Sequence, residues 1–194
     1  MDEQCAPARE RRFSMPVKSP FDIPKLEFEL QKLAFLALGS NLGDAKQNVL
    51  NAMRRLQEFS DLPLLRSSLW QTTPVDCPPD SPTFVNAVVG FLPRTTETPE
   101  SLLGRFQALE IEFGRPPKKV PNEPRVLDLD LIAFRQERRA SDPLTLPHPR
   151  AHLRRFVLQP LSEIAPDLVL PDQILSVRQL LETLQSRERL VRLT

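Results

Sequence analysis

Cysteine is nearly absent from this chain: 2 residues in 194, Cys5 and Cys77, far apart and neither in a C-x-x-C pair. That argues against a disulfide framework and a structural zinc site, and it fits a reducing cytoplasm. Tyrosine is missing, tryptophan occurs once and aromatics total 6%. An RNA-binding sheet with exposed stacking aromatics is therefore a poor reading. No apolar run approaches the ~18–20 residues that span a bilayer. The N-terminus has no apolar signal core, and its acidic residues speak against a transit peptide. Lys+Arg number 26 and Asp+Glu 25, for a formal net charge of +1. No nucleic-acid or membrane partner is expected from such a balance. Glycine is scarce, at 5, whereas proline is abundant, at 21. Long but stiffened loops follow from that ratio.

What is present suffices for one domain: apolar residues make up 40% of the chain. Residues 1–31 mix charges with Pro7, Pro16, Pro20 and Pro24 and show no periodicity. They read as a poorly ordered tail, with residues 32–194 as the domain. The apolar run Leu33 to Leu38 reads as a buried strand, broken sharply by the turn Gly39 to Asp44. Asp44 then caps an amphipathic helix, Ala45 to Phe59. A second strand is expected over Leu64 to Gln71 and a Pro-rich loop over Thr72 to Pro82. Thr83 to Leu92 reads as a third strand. Pro99 opens a helix that Gly114 ends. A loop over Arg115 to Pro124 leads into a fourth strand, Arg125 to Phe134. Pro147 to Arg150 reads as a turn, Ala151 to Ala165 as mostly helical, and Leu175 to Ser186 as a final helix. Two βαβ-like halves predict an α+β fold: a ferredoxin-like sandwich with helices on one main face of an antiparallel sheet.

Candidate chemistry concentrates in Arg125-Val126-Leu127-Asp128-Leu129-Asp130. Residues two apart on a strand share a face, so Asp128 and Asp130 present paired carboxylates. Such a pair repels unless a cation relieves it, and hard oxygen donors suit Mg²⁺ together with substrate phosphates. A bare D-x-D is more often a solvated strand face. The surrounding Arg115, Lys118, Lys119 and Arg125, and the later His148, Arg150, Arg154 and Arg155, favour a polyphosphate site. Phe84 and Asn86 share a face of the third strand, a combination that suits a flat heterocycle or, equally, a packed sheet edge. Gln107 and Glu110 share a helix face, for which a solvated edge is the plainer reading. Gly39 to Asp44 lacks the Walker lysine spacing and reads as a structural turn.

Taken in order, L-A-L-G-S-N-L-G-D, W-Q-T-T-P-V, F-V-N-A-V, Q-A-L-E-I-E-F-G-R, P-R-V-L-D-L-D-L, P-H-P-R, R-R-F-V-L-Q-P-L and E-I-A-P-D resemble the 6-hydroxymethyl-7,8-dihydropterin pyrophosphokinase family, from about Leu33 to Pro171. The resemblance implies an elaborated ferredoxin-like sandwich. It also implies transfer of the β,γ-pyrophosphoryl group of ATP to a pterin alcohol, with release of AMP, in folate biosynthesis. By the same resemblance Asp128 and Asp130 hold two Mg²⁺ ions, and Arg115 and Arg125 join them as catalytic groups on the phosphates. Gln107, Glu110, His148 and Arg154 contact ATP. Phe84 and Phe156 sandwich the pterin, Asn86 hydrogen-bonds it, and Thr72, Pro74 and Val75 line its pocket. The two Pro-rich loops would close over the reactants.

The chain departs from the family pattern at Pro116 to Glu123, where further arginines and an aromatic are common, and at Asp76, where glycine is usual. A stand-alone, cytoplasmic monomer acting on small molecules is expected. The altered loop motivates an alternative: a non-catalytic relative that binds pterin or nucleotide and regulates something.

Overall fold

The structure is a computed structural model that describes residues 30–115 and 123–194. The tail up to residue 29 and the stretch 116–122, with Lys118 and Lys119, lie outside the described residues. Strand β1 (Ala34–Ser40) leads to helix α1 (Ala45–Leu56), which a 3-10 turn extends to Phe59. Two short strands follow, β2 (Leu65–Arg66) and β3 (Trp70–Thr72), then the long β4 (Phe84–Phe91) and helix α2 (Pro99–Glu112). Strand β5 (Asp128–Phe134) is followed by the hairpin β6 (Arg139–Ser141) and β7 (Leu144–Leu146). Helices α3 (Arg155–Ile164) and α4 (Val177–Thr183) and strand β8 (Leu190–Arg192) complete the described chain.

Local chemistry explains the boundaries. The Asp44 carboxylate accepts the Gln47 N–H at 3.0 Å and starts α1. Thr98 and Ser101 form a reciprocal capping box on α2, with Pro99 at the first helical position. Gly114 ends α2 at φ +84°, a left-handed conformation that glycine adopts without a Cβ penalty.

The main sheet is antiparallel throughout, ordered β5-β1-β4-β3-β8, with β2 pairing β4 beside β3. One face carries Leu36 and Leu38 of β1 and Val85, Ala87 and Val89 of β4. It packs on Val49, Met53 and Leu56 of α1 and Leu102, Phe106 and Leu109 of α2. This is the expected split βαβ layer.

The additional helices lie on the opposite face. Phe35, Val88 and Ile132 pack there against Val157, Leu158 and Leu161 of α3 and Val177 and Leu180 of α4. Every residue of β4 is buried, because the strand is covered on both sides. Helix α3 covers only part of this second face, and the uncovered part becomes the site.

Other differences have local causes. β1 runs through Gly39 and Ser40 instead of breaking at the glycine, because both pair with β4. The second strand divides into β2 and β3, since Ser67 turns its hydroxyl onto the Val88 N–H at 2.9 Å. The regular strand pairing of β5 begins at Asp128, not Arg125. The last helix is shorter than its apolar pattern, and β6, β7 and β8, three residues each, are too short to announce themselves by periodicity.

Candidate active site

The strand registers set a row of side chains across the second face. Asp128 lies opposite Gly39, Gly39 opposite Asn86, and Asn86 opposite Trp70. One step to one side, Asp130 lies opposite Ala37, which pairs with Val88; one step to the other side, Phe84 lies opposite Thr72. The glycine thus stands between the Asp128 carboxylate and the Asn86 amide. A Cβ on Gly39 would sit 2.9 Å from Asn86 Oδ1, so the bare glycine keeps the floor open.

Above that floor is a cavity of about 150 Å³. Thr72, Val75, Phe84 and Asn86 line it, as do Arg125, Asp128, Asp130, His148, Arg154 and Phe156. The structure therefore brings together most of the residues singled out in the sequence. Pro74 and Gln107 do not line it, and Gln107 is exposed on α2. Glu110 and Arg115 stand one layer behind. The Glu110 carboxylate, 8% exposed, accepts the Leu129 N–H at 2.7 Å and pairs with Arg115. Burial pushes the Glu110 carboxyl upward, opposed by the Leu129 N–H and the Arg115 charge. Glu110 thus orders Arg115 and the start of β5.

Asp128 is gripped from both sides, by Arg115 at 2.9 Å and Arg125 at 3.0 Å. The main chain of Arg125 is pinned by Asn41: its N–H donates to Asn41 Oδ1 at 2.7 Å, and its carbonyl accepts the Asn41 N–H at 3.0 Å. The Arg125 side chain still has a buried Nε–H with no hydrogen-bond partner among the described residues. A buried orphan donor on a cation is costly unless an anion completes it.

His148 is a neutral group here. Burial, then the charges of Arg154 and Arg150, lower its pKa to about 4. Its Nδ1 accepts the Arg150 N–H at 3.2 Å, so the ring proton resides on Nε2. Burial and the neighbouring Arg150 also lower the Arg154 pKa, against the pull of Asp130 and Asp128. The charge on Arg154 therefore gains from any anion entering the cavity.

Each cavity phenylalanine has an arginine over its ring: Arg125 at 5.8 Å from the Phe84 centroid and Arg154 at 5.3 Å from that of Phe156. The Asn86 amide donates to Thr72 Oγ1 at 2.7 Å, which fixes its orientation. Among the described residues no group of three or more His, Cys, Asp or Glu side chains could hold a metal. Asp128 and Asp130 offer two hard oxygen donors at a cavity wall, which fits Mg²⁺ completing its shell with water and phosphate.

The family model for 7,8-dihydro-6-hydroxymethylpterin-pyrophosphokinase (HPPK) matches residues 35–166. The chain belongs to this family. The 2-amino-4-hydroxy-6-hydroxymethyldihydropteridine pyrophosphokinase of Haemophilus influenzae is 39% identical over 140 residues, which cover 72% of this chain and 85% of that one. The Pseudomonas aeruginosa protein of the same name is 37% identical over 139 residues, 71% of this chain and 83% of that one. The folic acid synthesis protein fol1 of Schizosaccharomyces pombe is 34% identical over 164 residues, 84% of this chain but only 22% of that longer protein. Among solved structures, Plasmodium falciparum HPPK-DHPS, wild type with pteroate, shares the fold at a TM-score of 0.60 and 14% identity, covering 77% of this chain and 42% of that one.

Within this family member, sequence reasoning missed several cavity residues. Gly39 was read as part of a turn, and Thr73, Cys77 and Ala37 were not singled out as site residues, yet all four line the cavity. For Gly39 there was a clue: a glycine ending an apolar run marks close backbone approach as readily as a turn. Asp76 adopts a left-handed backbone, at φ +52°. Aspartate tolerates that region better than most side chains.

Proposed function

We propose that this chain transfers the β,γ-pyrophosphoryl group of ATP to the hydroxymethyl oxygen of 6-hydroxymethyl-7,8-dihydropterin, releasing AMP. The observation that carries the reading is one cavity with two unlike ends on a single sheet face. Paired carboxylates and arginines occupy one end, and Phe84, Asn86 and Thr72 the other.

In this reading the pterin ring stacks between Phe84 and Phe156, with Asn86 on its polar edge and Thr72 and Val75 around it. The orientation of Asn86, set by Thr72, leaves its carbonyl oxygen for a ring N–H. Arg115 and Arg125 leave Asp128 for the polyphosphate, where the orphan Arg125 Nε–H finds an acceptor. Neutral His148 donates its Nε2–H to a phosphate oxygen without adding charge, and Arg154 adds a full cation. Glu110 contributes from α2 by holding Arg115. Two Mg²⁺ ions held by Asp128 and Asp130, when bound, offset the charge of the triphosphate.

The nucleophile is the substrate's own alcohol, so no protein nucleophile is needed. Its oxygen bonds to the β-phosphorus, the bond from that phosphorus to the α-phosphate oxygen breaks, and AMP departs. The alcohol proton passes to solvent or phosphate. The protein contributes alignment and fixed positive charge, the terms that dominate phosphoryl-type transfers. The same reading takes the enzyme to be a cytoplasmic monomer acting on small molecules. Among the described residues no helix is long and apolar enough to cross a membrane.

The test is to incubate the protein with Mg·ATP and the pterin alcohol and separate the nucleotides by chromatography. Pterin-dependent AMP without ADP is the expected result. The Asp128→Ala and Asp130→Ala variants should remain folded by circular dichroism and lose at least about a hundredfold in rate. A wild-type protein that binds both ligands yet makes no AMP would establish the regulatory alternative instead.

A further inference from the structure

Helix α3 starts without a cap of its own. Arg154 holds the N-cap position, and its side chain makes no capping bond but lines the cavity. A first helical turn has N–H groups that need acceptors, and Ser, Thr, Asp or Asn usually supply one locally. With an arginine at that position, the acceptor has to come from elsewhere.

It comes from the C-terminal segment. The Glu188 carboxylate accepts the Phe156 N–H at 2.9 Å and the Arg155 N–H at 3.3 Å. Two oxygens meet two N–H groups, and the negative charge faces the positive end of the helix. The next residue ties the same segment to the opposite wall. The Arg189 N–H donates to Thr73 Oγ1 at 3.2 Å, and the Arg189 carbonyl accepts the Thr73 N–H at 3.2 Å. Leu190 then pairs with Thr72 as β8 joins β3. Thr72 and Thr73 line one side of the cavity, and Arg154 and Phe156 the other. Glu188 is not among the cavity-lining residues, and it lies beyond residue 166, where the family match ends.

We propose that Glu188 is a positioning residue for the pterin subsite, fixing Phe156 at the start of α3 relative to the wall formed by Thr72 and Thr73. This rests on the pterin reading of the cavity given above. Its effect is directional. Phe156 is bonded through its own main-chain N–H, so its ring should lose definition before the carboxylate end of the cavity does.

The experiment measures binding of 6-hydroxymethyl-7,8-dihydropterin by calorimetry at 25 °C, with a nonhydrolysable ATP analogue and Mg²⁺ present, alongside thermal unfolding. Glu188→Ala should weaken pterin binding about tenfold, and binding of the ATP analogue less than about threefold. Glu188→Gln keeps one acceptor oxygen and should restore pterin affinity to within about threefold of the parent. If Glu188→Ala does not fold, Glu188→Asp draws the carboxylate back by one methylene and should weaken pterin binding at least about threefold. A lower unfolding midpoint with unchanged pterin affinity would show a purely structural tie and overturn the proposal. A parent protein that binds no pterin would overturn the functional reading and this proposal with it.

Discussion

Gly39 shows how much one residue can decide. It stands between Asn86 and Asp128 on the sheet face, and an added Cβ would meet Asn86 Oδ1 at 2.9 Å. Its role is space, since its backbone is ordinary strand. Gly39→Ala should push Asn86 out of its bond to Thr72 and weaken pterin binding at least about tenfold. ATP-analogue affinity, measured in the same calorimetric experiment, should hold. His148 gives a second prediction at this scale. Its pKa falls from 6.5 in the ordinary state to about 4 in the folded protein, so the unfolded chain takes up a proton first as pH drops. The contribution is therefore fully present above about 6.5 and is lost as pH falls towards 4. Glu110, raised by burial, acts in the opposite sense. Comparing unfolding midpoints of metal-free wild type and His148→Gln from pH 7 to 4.5 isolates the histidine: the wild type should lose more stability over that range.

At the scale of elements, caps and bulges settle what periodicity leaves open. The capping box of α2 lies at the end of the helix remote in sequence from Arg115, which follows the helix and pairs with Asp128. Thr98→Ala should therefore cost about 1 kcal/mol, or about 2–4 °C in midpoint for a chain of this size. Pterin and nucleotide affinity should be untouched, which calorimetry checks. Asp44 was legible as a cap because capping is a local event. Strand β5 shows the opposite case. Its register against β1 shifts between Phe35 and Leu36, which face Ala133 and Leu131. Ile132 is the extra residue, so Ile132 and Ala133 both join the second core while Leu131 and Phe134 join the first. Simple alternation places Asp128 and Asp130 correctly because they precede the bulge.

For the whole molecule, the sheet is the shared wall of two cores, one under α1 and α2 and one under α3 and α4. Neither core has an independent second wall, so both should be lost together. Denaturant unfolding followed by Trp70 fluorescence and by far-ultraviolet circular dichroism should give coincident transitions. Separated transitions would mean that the α3 and α4 layer melts by itself. The long-range ties agree with a single unit: Trp70 Nε1 donates to Glu163 Oε1 at 3.2 Å, joining β3 directly to α3.

The sequence by itself determined the α+β class, the main strands and helices, the caps, and the two carboxylates on one strand face. All of these depend on neighbours a few residues apart, where backbone geometry repeats predictably. Much of the site was legible for the same reason, aided by the order of its motifs. Tertiary structure alone decided that the second sheet face is partly covered by α3 and α4 and partly left open. It also placed Glu110 and Arg115 behind Asp128, opened the floor at Gly39, and supplied the cap of α3 from Glu188. Those outcomes join residues tens of positions apart, and only packing fixes which of the available partners meet.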